Sequence, residues 1–300
     1  LPSFCFLIFS YIGERGFVPM FSNFIRFDLK NGLLKAWKKY VIAIFVFSCF
    51  FSFHFFRVHV QNIHLQKSGE TPLRFTCGDL LLSVLGGMKE FHYEDGEPFL
   101  FPALWIFVFL LLLYFTLRYP SENLSGIGKS MLILSQHRKT WYLSKCVWCV
   151  SFVLMYFAVL YLTAFLTCIC LGGEVTLQPS EYAPAILNAG TYLKAPPWDI
   201  LPGFFLIPCM ACGIALLQML LTFFMRPIFS YILSCVLLLS SAYFASPFLP
   251  GNYLMFFRTE IFSENGLSIF LGFCTAFFMI VLSCVIGCLR IEQMDILEKE

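Results

Sequence analysis

Charge is what this chain has least of. Asp, Glu, Lys and Arg make up 13% of its residues and hydrophobic types 59%, against about 25% and about 45–50% in soluble domains. That is too little polar surface to dissolve a globular fold in water, so a soluble domain is excluded. The scarcity is also uneven. Six runs, residues 40–56, 99–117, 146–171, 200–225, 227–248 and 267–289, hold no Asp, Glu, Lys or Arg at all, and only the first holds a histidine, His54. The runs lack the apolar–polar alternation of barrel strands, which argues against a membrane β-barrel.

Other absences narrow the function. The string GIGKS ends a possible phosphate loop, but G-x-x-x-x-G-K-[ST] needs a glycine at position 123, where Asn123 stands. The segment before it is also too long and apolar for the strand such a loop follows. No intrinsic ATP site is expected. Nor do the runs carry an ionisable group at bilayer depth, of the kind ion-coupled carriers retain. No nucleophile–base pair or metal-ligand set recurs on one face. His54, His59 and His64 are five apart and fall on different helix faces. His92, Glu94, Asp95 and Glu97 lack the register of a calcium loop. Of thirteen cysteines, eleven lie in or at the edges of the runs, where Cys packs as a small hydrophobe. Cys146/Cys149 and Cys209/Cys212 have C-x-x-C spacing without the context of a redox or zinc site. Cys77 is the one cysteine expected outside, so no external disulfide within the chain is expected and Cys77 should meet impermeant reagents. There is no internal repeat.

What is present is a membrane pattern. A hydrocarbon core about 30 Å thick takes about 20 residues at about 1.5 Å each, and the six runs reach or approach that length. The expected architecture is an all-α integral membrane protein with a transmembrane domain over 40–289. Its loops are external at 57–98 and 172–199 and cytoplasmic at 118–145, with a cytoplasmic tail at 290–300. With the N-terminus inside, 14 of the 20 basic residues fall on the inner side, as the positive-inside rule requires. Both termini are therefore expected in the cytoplasm. In residues 20–39, Phe21, Ile25, Leu29, Leu33 and Trp37 recur every four positions, with Arg26, Lys30, Lys35, Lys38 and Lys39 on other faces. This reads as an amphipathic helix in the inner interface. The apolar part of residues 1–19 covers about 18 Å as a helix, too short to span, and has no basic leader or small-residue cleavage site. These residues are expected to be an upstream-translated or non-native extension, with translation starting at Met20. The upstream string GERG fits a translated purine-rich ribosome-binding sequence.

The inner loop carries the most information. "RYPSENLSGIGKSMLILSQHRKTWYLSKCVWC" resembles a pattern in permease subunits of the bacterial ABC type-2 exporter class, especially Gram-positive ones. The matching positions are Tyr119, Pro120, Leu124, Gly126, Gly128, Arg138, Lys139, Trp141, Leu143, Ser144, Lys145 and Trp148. Upstream, Gly78, Asp79, Gly87, Pro102 and Trp105 fit the same group. The likeness runs from Cys77 to Trp148, and departs from the pattern at Asn123, at Gln136-His137 and at Tyr142.

The resemblance implies a non-enzymatic, multi-pass permease half in a bacterial cytoplasmic membrane. It would work with a separate cytoplasmic ABC ATPase subunit and a second permease copy or paralogue, exporting a peptide, antibiotic or lipid-like substrate. ATP would bind the partner; no cofactor, metal or nucleic acid is implied. The coupling loop would use Gly126 and Gly128 as bends, Leu132 and Leu134 as docking surface, and Arg138, Lys139, Trp141 and Lys145 at the membrane border. A membrane sensor or assembly partner, docking a cytoplasmic protein through residues 118–145, is the alternative.

Overall fold

The computed structural model describes residues 17–67, 74–90, 99–125, 128–130, 132, 137–180, 187, 197–263 and 265–294. The 1–16 part of the expected extension, the His92–Glu97 cluster, Gly126, Leu134 and residues 295–300 lie outside them. Among the described residues the fold is helical, with no strand longer than an isolated bridge. The helices are α1 (Phe17–Asp28), α2 (Trp37–Lys67), α3 (Cys77–Leu85), α4 (Ala103–Leu117), α5 (Tyr119–Ser125), α6 (Arg138–Cys170), α7 (Pro197–Leu221), α8 (Pro227–Tyr243) and α9 (Ile269–Gln293).

Among the described residues, five helical segments are long and apolar enough to cross a membrane: Phe21–Lys67, Ala103–Asn123, Arg138–Cys170, Ile200–Leu221 and Ile269–Gln293. The chain is a helical multi-pass membrane protein. The remaining apolar run differs from expectation. Its helix, α8, has 17 residues, about 25 Å of rise, and stops at Tyr243 instead of reaching Phe248. Pro247 and Pro250 follow closely and remove the backbone donors a continuing helix would need.

At the other end of the chain, the interfacial segment and the first span form one helical run. A π-helical turn, Leu29–Leu33, and a 3-10 turn, Leu34–Ala36, join α1 to α2. The face of α1 that packs on protein is Phe24, Asp28 and Gly32, all buried. The stripe expected there is only half-buried, and Trp37 is 59% exposed. Farther on, Ala43, Phe47, Phe51, His54 and Val58 give α2 its buried face, and Phe47 meets Tyr156 of α6 edge-on at 5.2 Å. With no Gly or Pro after Phe56, α2 continues to Lys67. The stretch expected to open an external loop at residue 57 is therefore helix.

The rest of that loop is partly core. Every residue of α3 except Ser83 is buried. Thr76 and Asp79 form a reciprocal capping box, with Asp79 N–H donating to Thr76 Oγ1 (3.1 Å) and Thr76 N–H to Asp79 Oδ2 (3.0 Å), which satisfies donors at the helix start. Asp79 Oδ1 also accepts from Ser180 N–H at 2.9 Å. Gly78 lies so close to the Leu177 backbone that a Cβ would collide. Gly87 has φ +71°, the left-handed region glycine permits, and sits against Met255. Cys77 is only 5% exposed, and burial pushes its thiol up to about 11. It is not the external handle expected, because this loop folds onto the bundle.

Inside the bundle, α9 lays Gly272, Ala276, Met279, Ser283 and Gly287 toward its neighbours. Small residues let membrane helices approach closely: Gly287 faces the Tyr142 ring of α6, whose hydroxyl donates to Ser283 O at 3.0 Å. Trp105 of α4 donates to Leu254 O at 2.9 Å, joining the bundle to two 3-10 turns, Pro250–Leu254 and Phe256–Arg258.

Candidate functional site

The C-terminal end of α4 is where the resemblance concentrates. Residues 103–117 form a helix because they are an unbroken apolar run. The helix breaks at Arg118, and Pro120, in the first turn of the separate short helix α5, lacks the N–H that would continue α4. Tyr119 is half-buried; its ring stacks on Trp148 at 4.3 Å and 28°, and its hydroxyl donates to Asp28 Oδ1 at 2.9 Å.

Asp28 is the centre of this cluster. It is 1% exposed and forms an ion pair with Lys145, which is equally buried. Ser144 Oγ donates to Asp28 Oδ2 at 2.7 Å and also lies 2.8 Å from Trp141 O. The Lys145 ammonium stands over the Trp141 ring at 4.9 Å and the Tyr119 ring at 5.3 Å. A buried carboxylate needs both a counter-charge and hydrogen-bond donors. Asp28 has Lys145, Tyr119 and Ser144, drawn from α6 and α5. Gly32, one helical turn on, leaves room for the Trp148 indole and the Tyr119 ring, which a Cβ would strike. The π turn over Leu29–Leu33 adds one residue to the helix between Asp28 and α2. Such insertions often lie beside functional positions.

The structure buries four of the six expected coupling residues that are described. Leu132 is 1% exposed and belongs to the hydrophobic core, so it is not docking surface. Gly128 is buried against Asn123, whose Oδ1 and backbone a Cβ would overlap; its role is close approach. Trp141 and Trp148 are each 1% exposed, in the core and not at the headgroups; Trp141 meets Phe223 edge-on at 6.4 Å. Lys145, expected at the membrane border, is the buried counter-ion of Asp28. Arg138 donates to Glu292 O (3.1 Å) and Met294 O (2.9 Å), and Lys139 pairs with Glu292 Oε1 at 2.9 Å. These two hold the end of α9, where cations suit the orphan carbonyls of a helix C-terminus, and so are engaged within the chain. Gly126 and Leu134 are outside the described residues. Among the described residues of the segment, Arg118, Glu122 and Ser130 are exposed and Lys129 is half-buried.

Sequence reasoning missed Asp28. A signal existed: between Met20 and Lys67 it is the single acidic residue. It also sits four residues before a glycine on the face that turned out to be buried. Its partner could not be read, because Lys145 is more than a hundred positions away and reads in sequence as a charge at the membrane border. The charge-free description of the runs was accurate residue by residue, yet a buried ion pair stands immediately outside one of them.

The chain belongs to a family: residues 90–297 match the one described as "Protein of unknown function (DUF2705)". No curated protein matches the chain, and no solved structure does. The match contains α4–α9 and Lys145, whereas Asp28 precedes it.

Proposed function

We propose that this family member is the membrane-spanning permease subunit of an ATP-driven exporter in a bacterial cytoplasmic membrane. A separate cytoplasmic ABC ATPase docks on the segment between α4 and α6. The chain pairs with a second copy or a paralogue, and the cargo, of the peptide, antibiotic or lipid-like class, passes between the two halves. The chain crosses six times, α8 being the short crossing, with both termini in the cytoplasm.

The observation that carries this reading is the Tyr119–Asp28–Lys145 junction. α5 stands at the inner end of the bundle and is bonded directly to the N-terminal helix, and through Asp28 to α6. Force applied to α5 therefore reaches α1 and α6 together, as a coupling element requires. The resemblance between Cys77 and Trp148 supplies the ATPase; the geometry supplies the lever. Among the described residues, the docking surface includes the exposed Glu122 and Ser130, with Lys129 beside them.

The test is affinity purification of the tagged chain from its native membrane, followed by mass spectrometry. We expect an ATPase subunit lacking membrane spans to co-purify. A Glu122→Arg/Ser130→Arg variant should insert normally but lose that partner and the associated ATP hydrolysis. Recovery of a kinase or an assembly factor in place of an ATPase would favour the sensor or assembly reading.

A further inference from the structure

The exposed side of the N-terminal helix carries one sign of charge, and no described residue neutralises it. Arg26, Lys30, Lys35 and Lys38 are all exposed, and none forms an ion pair with a described residue. Asp28, the single acid from Met20 to Lys67, is consumed by Lys145 on the opposite, buried face. Lys39 is also withdrawn: its ammonium donates to Phe115 O at 2.7 Å and lies near the Phe115 and Phe152 rings. The fold thus removes the acid from the surface and leaves four cations on it.

The next residues along the chain say what faces that surface. Immediately after Lys38, the exposed side chains become apolar: Val41, Ile42, Ile44 and Phe45 are between 44% and 70% exposed. Side chains of this kind left uncovered on a long apolar helix belong in hydrocarbon. Trp37, 59% exposed with the Lys38 ammonium 6.0 Å from its ring, stands at the change, the level at which tryptophan settles between headgroups and acyl chains.

We propose that Arg26, Lys30, Lys35 and Lys38, with Trp37, form a binding surface for the anionic phosphodiester headgroups of the inner leaflet, and that the protein recruits acidic lipid around this helix. The ligand is a membrane surface and not an acidic protein, because the basic patch runs directly into exposed apolar residues on the same helix. A soluble partner would leave those residues in water. The inference depends on the membrane reading and the orientation of α1, and stands whether or not the chain exports anything.

The experiment uses the full chain reconstituted in phosphatidylcholine vesicles containing a minority of phosphatidylglycerol. Spin-labelled forms of each lipid report the motionally restricted fraction at the protein. Because basic residues near an acidic surface attract its headgroups, labelled phosphatidylglycerol should be enriched about threefold over phosphatidylcholine. The enrichment should vanish at about 1 M salt, where the Debye length is about 3 Å. An Arg26→Gln/Lys30→Gln/Lys35→Gln/Lys38→Gln variant should bring it to parity. An Arg57→Gln/Lys67→Gln/Arg74→Gln variant, altered at the opposite end of α2 and beyond, should keep it. Parity in the unaltered chain, or enrichment that survives the fourfold change, overturns the proposal and leaves the patch to an acidic protein. If the fourfold variant does not fold, the salt titration of the unaltered chain and the two half-variants, Arg26→Gln/Lys30→Gln and Lys35→Gln/Lys38→Gln, decide the matter.

Discussion

Asp28 and Lys145 illustrate how much one residue's meaning depends on its neighbours. Taken alone, each reads as an ordinary charge at the edge of a basic flank. Together they are a desolvated pair whose attraction is strengthened by the low dielectric around it and whose remaining bonding capacity is filled by Tyr119 and Ser144. Removing one member strands the other, at a cost of about 3–5 kcal/mol, while replacing both by apolar groups of similar size is often neutral or stabilising. We therefore expect Asp28→Leu and Lys145→Met, each alone, to lower the thermal unfolding midpoint of the detergent-purified protein markedly. The double variant should recover most of the loss. If coupling runs through this junction, that stable double variant should still have little substrate-stimulated ATP hydrolysis with the proposed ATPase subunit. Equal damage in the single and double variants would show that the pair is not the unit described here.

Among the helices, α8 differs most from its sequence. Its final carbonyls are covered by Arg258, a buried residue from the second of the 3-10 turns that follow it. The guanidinium donates to Ser241 O, to Ala242 O at 2.8 Å, to Met88 O at 3.2 Å and to the Asn252 side chain. Asn252 in turn donates to Phe244 O at 2.9 Å and Ser246 O at 2.8 Å. Burial lowers the Arg258 pKa to about 10, so it stays cationic at neutral pH and can serve the negative end of the helix dipole. This arrangement lets a 17-residue helix end inside the protein. Each buried carbonyl left without its donor costs about 1–3 kcal/mol. Arg258→Met should accordingly destabilise the protein by about 3–5 kcal/mol, at the upper end for a single change, read as a lower midpoint in detergent. Arg57→Met, at an exposed position, should change it little. A midpoint unmoved by Arg258→Met would mean that water reaches these carbonyls.

At the scale of the whole molecule, the positive-inside count and the buried junction make a joint statement about orientation. α1, α5 and the start of α6 are held together by Asp28, so they lie on one side of the membrane. An epitope placed after Lys67 should be reached by antibody in intact cells, and one placed after Ser130 only after permeabilisation. The reverse pattern would invert the proposed topology and remove any cytoplasmic ATPase from reach of α5.

The class of this protein was legible before any coordinates. Long runs without Asp, Glu, Lys or Arg can be solvated only by lipid, and that argument needs no tertiary structure, because it rests on composition over about twenty residues. The helix break before Pro120 and the capping pair Thr76/Asp79 are likewise local, fixed by a missing backbone N–H and by a spacing of three. Tertiary structure decided which face of each element is inside. Leu132, Trp141 and Trp148 looked like surface and interface residues, and Cys77 like an external thiol. All four are buried, because other elements cover them. Burial is a property of pairs of distant segments, and nothing in residues 20–39 names Lys145 as the partner of Asp28. Composition thus set the solvent. The packing of α1, α5 and α6 determined which charges that solvent never meets.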